Sequence, residues 1–238
     1  ERLRKSDWDL RDKSKRPRTI YRRISPEIEK KVIEIKKKTG WGAEKIESFV
    51  EIGHTSINKI LKKNKLSSSS KRKKKRIKYI RWQRKHPNSL WQIDHSDQKI
   101  ENKYVVSVVD DCSRKSLAFV AVNKVTTNVI IKILEDLIIR YGKPKQILSD
   151  NGSAYGLKSK HSKFDRWCKR KGIEHIRGAI HSPTTQGKVE RLFQTFKREI
   201  KFCIDVEDWR MRYNHFRPHM SLNGKTPNMI YNNFKLLF

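Results

Sequence analysis

Apolar positions recur at helical spacing in the first third of the chain. Ile28, Val32 and Ile35 stand at i, i+4 and i+7 after Ser25-Pro26, and Gly40 follows. A serine cap, a proline at the first helical position and a glycine stop together bracket a helix. A second short helix is expected from about Ala43, carrying Ile46, Phe49 and Val50, and Gly53 marks a tight turn. A third helix, from Thr55, sends Ile57, Ile60 and Leu61 inward and Ser56, Asn58, Lys59 and Lys62 outward. Helix, glycine turn and a helix with a polar-basic outer face form a helix-turn-helix pattern, an outline that other three-helix bundles share.

From Leu90 the period shortens. Leu90–Asp94, Tyr104–Asp110 and Lys115–Val122 are rich in apolar and β-branched residues and read as strands, with turns at Glu101–Lys103 and Asp110–Arg114. Thr127–Tyr141 carries Val129, Ile130, Ile133, Leu134, Leu137 and Ile138, an amphipathic helix closed by Gly142. Gln146–Ser149 is a brief buried strand running into Asp150. Phe164, Trp167 and Cys168 mark a helix stopped by Gly172, Ile173–Ile176 a fifth strand, and a long helix starts near Thr184. The order β-β-β-α-β-α-β-α predicts an antiparallel meander extended by parallel neighbours. This is an α/β fold: a ribonuclease-H-like mixed five-stranded sheet with flanking helices, preceded by an all-α helix-turn-helix domain. The expected organisation is a basic arm over 1–24, helix-turn-helix over 25–66, basic linker over 67–87, catalytic core over 88–203 and a helical tail over 204–238. The linker rests on four serines followed by Lys71-Arg72-Lys73-Lys74-Lys75, which cannot build a core.

Charge narrows the partners. The 238 residues hold 57 Lys and Arg against 25 Asp and Glu, a net charge of +32. Such a chain repels itself until a polyanion neutralises it, which favours nucleic acid over a ribosomal-type or lipid-surface role. Cys112, Cys168 and Cys203 are scattered, without the paired spacing of a zinc site or a disulfide framework. They fit a reducing compartment. With no apolar run of membrane length and no visible signal sequence, a cytoplasmic, nucleoid-associated protein of a prokaryotic host is expected. The chain opens on Glu1 rather than Met, so residues upstream are expected.

Three acids fall where a metal site can assemble. Asp94 ends the first strand, and Asp150 sits where the fourth stops, at the carboxyl end that open sheets favour for ligands. Glu190 lies early in the last core helix, on the face of Gln186, Gln194, Lys197 and Lys201, beside the apolar stripe of Val189, Leu192, Phe193, Phe196 and Ile200. Phosphodiester chemistry needs an activated oxygen, a stabilised leaving oxygen and neutralised charge. Two hard cations about 4 Å apart supply all three and prefer carboxylate ligands. Among 25 acids, position alone does not establish such a site.

The surrounding residues add a resemblance. Trp91-Gln92-Ile93-Asp94, Ser149-Asp150-Asn151-Gly152 and His181-Ser182-Pro183-Thr184-Thr185-Gln186-Gly187-Lys188-Val189-Glu190-Arg191 resemble the integrase-type DDE transposases of bacterial and archaeal insertion sequences, relatives of retroviral integrases. Asp110-Asp111-x-Ser113-Arg114, the tail Tyr213–His219 and Leu222-x-Gly224-x-Thr226-Pro227 are similar to further segments of that family. So are Leu10–Pro17 and Thr39–Gly42, which resemble the flanks of its second helix-turn-helix. The resemblance covers nearly the whole chain. It implies that Asp94, Asp150 and Glu190 bind two Mg²⁺ (or Mn²⁺) ions and catalyse DNA end cleavage and strand transfer. It also implies double-stranded DNA partners, namely terminal inverted repeats and target DNA, and a homodimer or higher oligomer on DNA. Two departures stand out. Between Asp150 and Glu190 lie 39 residues, a longer interval than in many relatives, which an insertion over 156–163 would absorb. The zinc module of retroviral integrases is absent.

Thr55, Ser56, Asn58, Lys59 and Lys62 are the expected base-reading and backbone residues of the recognition helix, and Lys188, Arg191 and Lys197 the phosphate contacts near the cut. Other polar residues have plainer readings. Asp97, Asp110 and Asp111 suit turns, Glu199 a solvated face, and His95, His175 and His181 packing or DNA contact. Trp91 suits the core, and Asn151-Gly152 a turn that needs glycine's backbone freedom. The rival function is a domesticated DNA-binding protein of the same fold, catalytically silent; a structure-selective nuclease is a third. The two halves are expected to be separable and coupled only through DNA, with rapid tryptic cleavage between Lys71 and Lys78 in the free protein.

Overall fold

A computed structural model describes residues 24–67, 83–96, 99, 102–156, 162–178 and 187–233. The 1–23 arm, most of the 67–87 linker with its tryptic sites, Asp97 and the 181–186 motif residues lie outside the described residues.

Helix α1 spans Pro26–Thr39, capped by the Ser25 hydroxyl, which accepts from the Ile28 N–H at 3.3 Å. It stops at Gly40, whose φ of +69° is left-handed and whose N–H donates to the Lys36 carbonyl. Helix α2 is only Ala43–Ile46, continued by a 3-10 turn over Glu47–Phe49, and α3 runs His54–Lys63. Val32, Trp41, Ile46, Ile57, Ile60 and Leu61 close a small apolar core among them.

Five strands follow: β1 (Leu90–His95), β2 (Tyr104–Asp110), β3 (Ser116–Val122), β4 (Gln146–Ser149) and β5 (Glu174–Arg177). Helices α4 (Thr127–Tyr141) and α5 (Lys163–Lys171) alternate with the last strands, and α6 covers Gly187–Glu199. The sheet order is β3-β2-β1-β4-β5, antiparallel across β1–β2–β3 and parallel across β1–β4–β5. The mixed sheet predicted from the sequence is the one observed.

Strand β2 shows why both faces are covered. Val106 and Val108 pack with Trp91, Ile130, Leu134 and Phe164 on one face, while Val105 and Val109 pack with Phe119, Val189, Leu192 and Phe196 on the other. Helix α7 (Val206–His215) joins the second cluster. Trp209 lies 4.8 Å from the Phe119 ring and 5.0 Å from that of Phe196. Each such buried ring contributes about 2–3 kcal/mol. Tyr231, in α8 (Pro227–Asn233), enters the first cluster, and its hydroxyl donates to Asn88 Oδ1 at 3.0 Å. The described part of the expected 204–238 helical tail packs against both faces of the sheet through Trp209, Tyr213 and Tyr231.

The helical unit also touches the core, contrary to the expected separation. Glu199, expected to be solvated, is largely buried and is held by Arg217 at 3.0 Å and by Lys45 of α2 at 3.5 Å. Gly40 lies against Phe202 so closely that a Cβ at this position would run into the ring. One carboxylate and one ring provide local attachments that net charge alone did not reveal.

Candidate active site

Strand register brings two of the three acids together. Parallel pairing of β1 with β4 sets Gln92 beside Leu148. Two residues further along stand Asp94, still within β1, and Asp150, the first residue after β4 ends. They meet at the carboxyl ends of adjacent strands, where the chain crosses from one side of β1 to the other. Ligand atoms of Asp94, Asp150 and His95 all lie within 4.8 Å of one another, and the three side chains are half-buried. Two carboxylates at this separation repel by roughly 3 kcal/mol at an effective dielectric of 20. A divalent cation reverses that sign, and the two carboxylates supply the hard oxygen donors such a cation takes, with the His95 imidazole beside them.

The neighbours hold these groups in place. The His95 N–H donates to Asp94 Oδ1 at 2.8 Å. The Gly152 N–H donates to Asp150 Oδ1 at 3.0 Å, and a Cβ on Gly152 would sit 3.0 Å from the same oxygen. Its φ is an ordinary −64°, so the position needs glycine for close approach rather than for unusual backbone angles. Asn151 Nδ2 donates to the Gly178 carbonyl at 3.0 Å, tying the loop to the end of β5. Tyr155 is fully buried with its hydroxyl 3.4 Å from His95 Nδ1. Burial, then the charges of Asp94 and Asp150, push its phenol well above the ordinary range. Behind Asp150, Ser149 Oγ donates to the Asp150 carbonyl and lies 2.8 Å from His175 Nε2, whose Nδ1 is 2.6 Å from Asp165. Ser149 is fully buried, so this chain braces the loop and offers no exposed nucleophile.

Glu190 stands apart. It is exposed in the first turn of α6 and lies outside the Asp94–His95–Asp150 group. The apolar stripe of α6 packs on β1 and β2 as its spacing predicts. Lys188 is ion-paired with the fully buried Asp111, which also accepts from Gln92 Nε2 and the Arg84 N–H, each at 2.7 Å. Its charge therefore anchors α6 to the sheet, whereas Arg191 and Lys197 are exposed. Asp110 accepts three hydrogen bonds from Asn88 and Ser113. Desolvation raises the carboxyl pKa of both Asp110 and Asp111, and their structural reading holds. On α3, Thr55, Asn58, Lys59 and Lys62 are exposed and Ser56 half-exposed. His95 and Tyr155 were not singled out for the site. The residue after a strand-end acid and an aromatic three residues beyond Asn151-Gly152 were the available signals.

A family model described as integrase core domain matches residues 84–183, and a second of the same description matches 171–227. The chain belongs to the integrase-core family. Within that family it is 25% identical over 198 residues to the insertion element IS476 uncharacterized 39.2 kDa protein of Xanthomonas euvesicatoria, covering 75% of this chain and 55% of that protein. It is 35% identical over 128 residues to the Gag-Pro-Pol polyprotein of Mason-Pfizer monkey virus, covering 53% of the chain and 7% of the polyprotein. The integrase-core chain thus spans about half of the first relative and a small part of the second. A chain in the cryo-EM structure of the simian T-cell lymphotropic virus intasome with PP2A regulatory subunit B56 gamma shares the fold. Its TM-score is 0.52 at 20% identity, over 84% of this chain and 74% of that one. The ribonuclease-H-like integrase core expected from the sequence is the fold present. Among the described residues, no helix is long and apolar enough to cross a membrane.

Proposed function

We propose that this integrase-core protein is a transposase that cleaves DNA at the ends of a mobile element and joins the freed 3′-hydroxyl to target DNA. The observation that carries this reading is the pairing of Asp94 and Asp150 at the ends of neighbouring parallel strands, within the matched core. Divalent cations, two Mg²⁺ or Mn²⁺ per site, supply charge neutralisation for an in-line displacement when bound. Asp94 and Asp150 hold them and Glu190 is the third carboxylate. His95 borders the same space, and Tyr155 fixes its ring. Both chemical steps exchange one phosphodiester oxygen for another, so no covalent enzyme intermediate is required.

Helix α3 reads the terminal inverted repeats through Thr55, Ser56, Asn58, Lys59 and Lys62. Arg191 and Lys197 hold phosphates near the cut, and Lys188 acts mainly by positioning the start of α6. Joining two ends requires a dimer or larger assembly on DNA.

The test is strand transfer with labelled element ends in Mg²⁺ and Mn²⁺. Asp94→Asn, Asp150→Asn and Glu190→Gln each remove a charged ligand with little change in volume. Each should abolish cleavage and joining while end binding persists. Near-normal strand transfer by any one variant removes that residue from the site, and activity in all three rejects the reading.

A further inference from the structure

A groove of about 660 Å³ runs between the helical unit and the core, lined by the cations Lys36, Lys37, Lys197, Arg198 and Lys201 together with Gly40, Leu66 and Phe202. Five cations from two separately folded cores converge on it. None of the five forms an ion pair with a carboxylate among the described residues, although Glu199 lies one residue beyond Arg198 and is held by Lys45 and Arg217. Lys36 donates to the carbonyls of Gly40 and Trp41, each at 3.0 Å. Burial and the nearby Lys201 charge lower its ammonium pKa. The groove therefore concentrates positive charge that an anion would relieve.

The geometry points to a binding site for the phosphodiester backbone of duplex DNA in this groove, gripped at once by α1 and by the end of α6. The inference rests on the proposed DNA chemistry and extends it from Lys197, which that reading uses, to Lys36, Lys37, Arg198 and Lys201, which it does not. Helix α6 gives the groove a position along the substrate. Lys197 follows Glu190 by seven residues, about 10 Å of helix. At roughly 3.4 Å per base pair along one strand, the gripped phosphates lie about three to five base pairs from the reacting one. A duplex seated there would fix the angle between the recognition helix and the active site.

The experiment measures affinity of the full chain for one labelled 30-base-pair duplex across a salt series. Each lost phosphate contact lowers the slope of log K against log salt by about 0.9. K37Q/R198Q/K201Q should reduce the slope by about 2 or more. K103Q/K124Q/K169Q, with the same net charge but exposed lysines outside the groove, should reduce it by less than 1. G40V removes no cation but pushes Phe202 away, and should also reduce the slope. K37R/K201R should retain it. Equal slopes for the groove and control triples overturn the site, as does an unchanged slope in G40V with a displaced helical unit. Wild-type protein with no salt-dependent DNA binding at all would overturn the proposed function along with it.

Discussion

Gly152 is the most economical test of how the acids are presented. Gly152→Ala sets a methyl against an oxygen already hydrogen-bonded to that residue's N–H, with no cost in backbone angle. Strand transfer should fall at least tenfold while the melting temperature moves by only a few degrees. A fully active Ala variant would show that the loop yields. Lys188 has the opposite profile. Lys188→Met leaves Asp111 buried without its cation, a change worth about 3 kcal/mol, so chemical denaturation should report lower stability before any DNA is added. Arg191→Gln should leave stability intact and weaken DNA binding alone. His219 carries a pH signature. Its ring is buried among Arg217, Lys45 and Arg114, with Nε2 accepting from Arg217 at 3.3 Å. Burial, then those cations, push its pKa down to about 2 from 6.5. The unfolded chain takes up that proton below about pH 6.5 and the folded chain does not, so the contribution is complete above 6.5 and lost as pH falls. Between pH 7 and 5 the loss is about 2 kcal/mol. His219→Gln should flatten that limb in denaturation curves recorded at both pH values.

At the level of elements, legibility followed how local each determinant is. Helix α1 was readable because Ser25, Pro26 and Gly40 are adjacent to the segment they delimit. Strand β2 was readable because its β-branched run needs no partner to be recognised. Asp94 and Asp150 were placed at strand ends from the sequence, but their proximity depends on the pairing of β1 with β4, whose partners, such as Leu90 and Gln146, are far apart in the chain, and which no local pattern contains. His95 escaped for the same reason: its neighbours are Tyr155 and Asp150, brought in by a crossover. Helix α2 came out as one turn plus a 3-10 segment. Glu199 was read as solvated because it falls beyond the motif that carries Glu190, and the residues that hold it lie in α2 and after α7. The fate of Lys188 was hidden in the same way, since Asp111 is distant in sequence.

On the scale of the whole molecule, the attachments between the helical unit and the core described above are one acid, Glu199, and one ring, Phe202. Neither attachment is large, and both sit in a chain with a net charge of +32, so the docked arrangement should respond to substitution. Gly40→Val loses a left-handed helix stop and collides with Phe202; scattering of the free protein should then show a larger radius of gyration. An unchanged radius would mean the clasp at Glu199 is sufficient. The clasp also bears on modularity. A reading head borrowed from another protein and spliced before residue 67 could fold and grip its own sequence. Without a glycine in place of Gly40 and a cation in place of Lys45, it would rest on the core at a different angle. Such a chimera would inherit specificity without inheriting the cutting position.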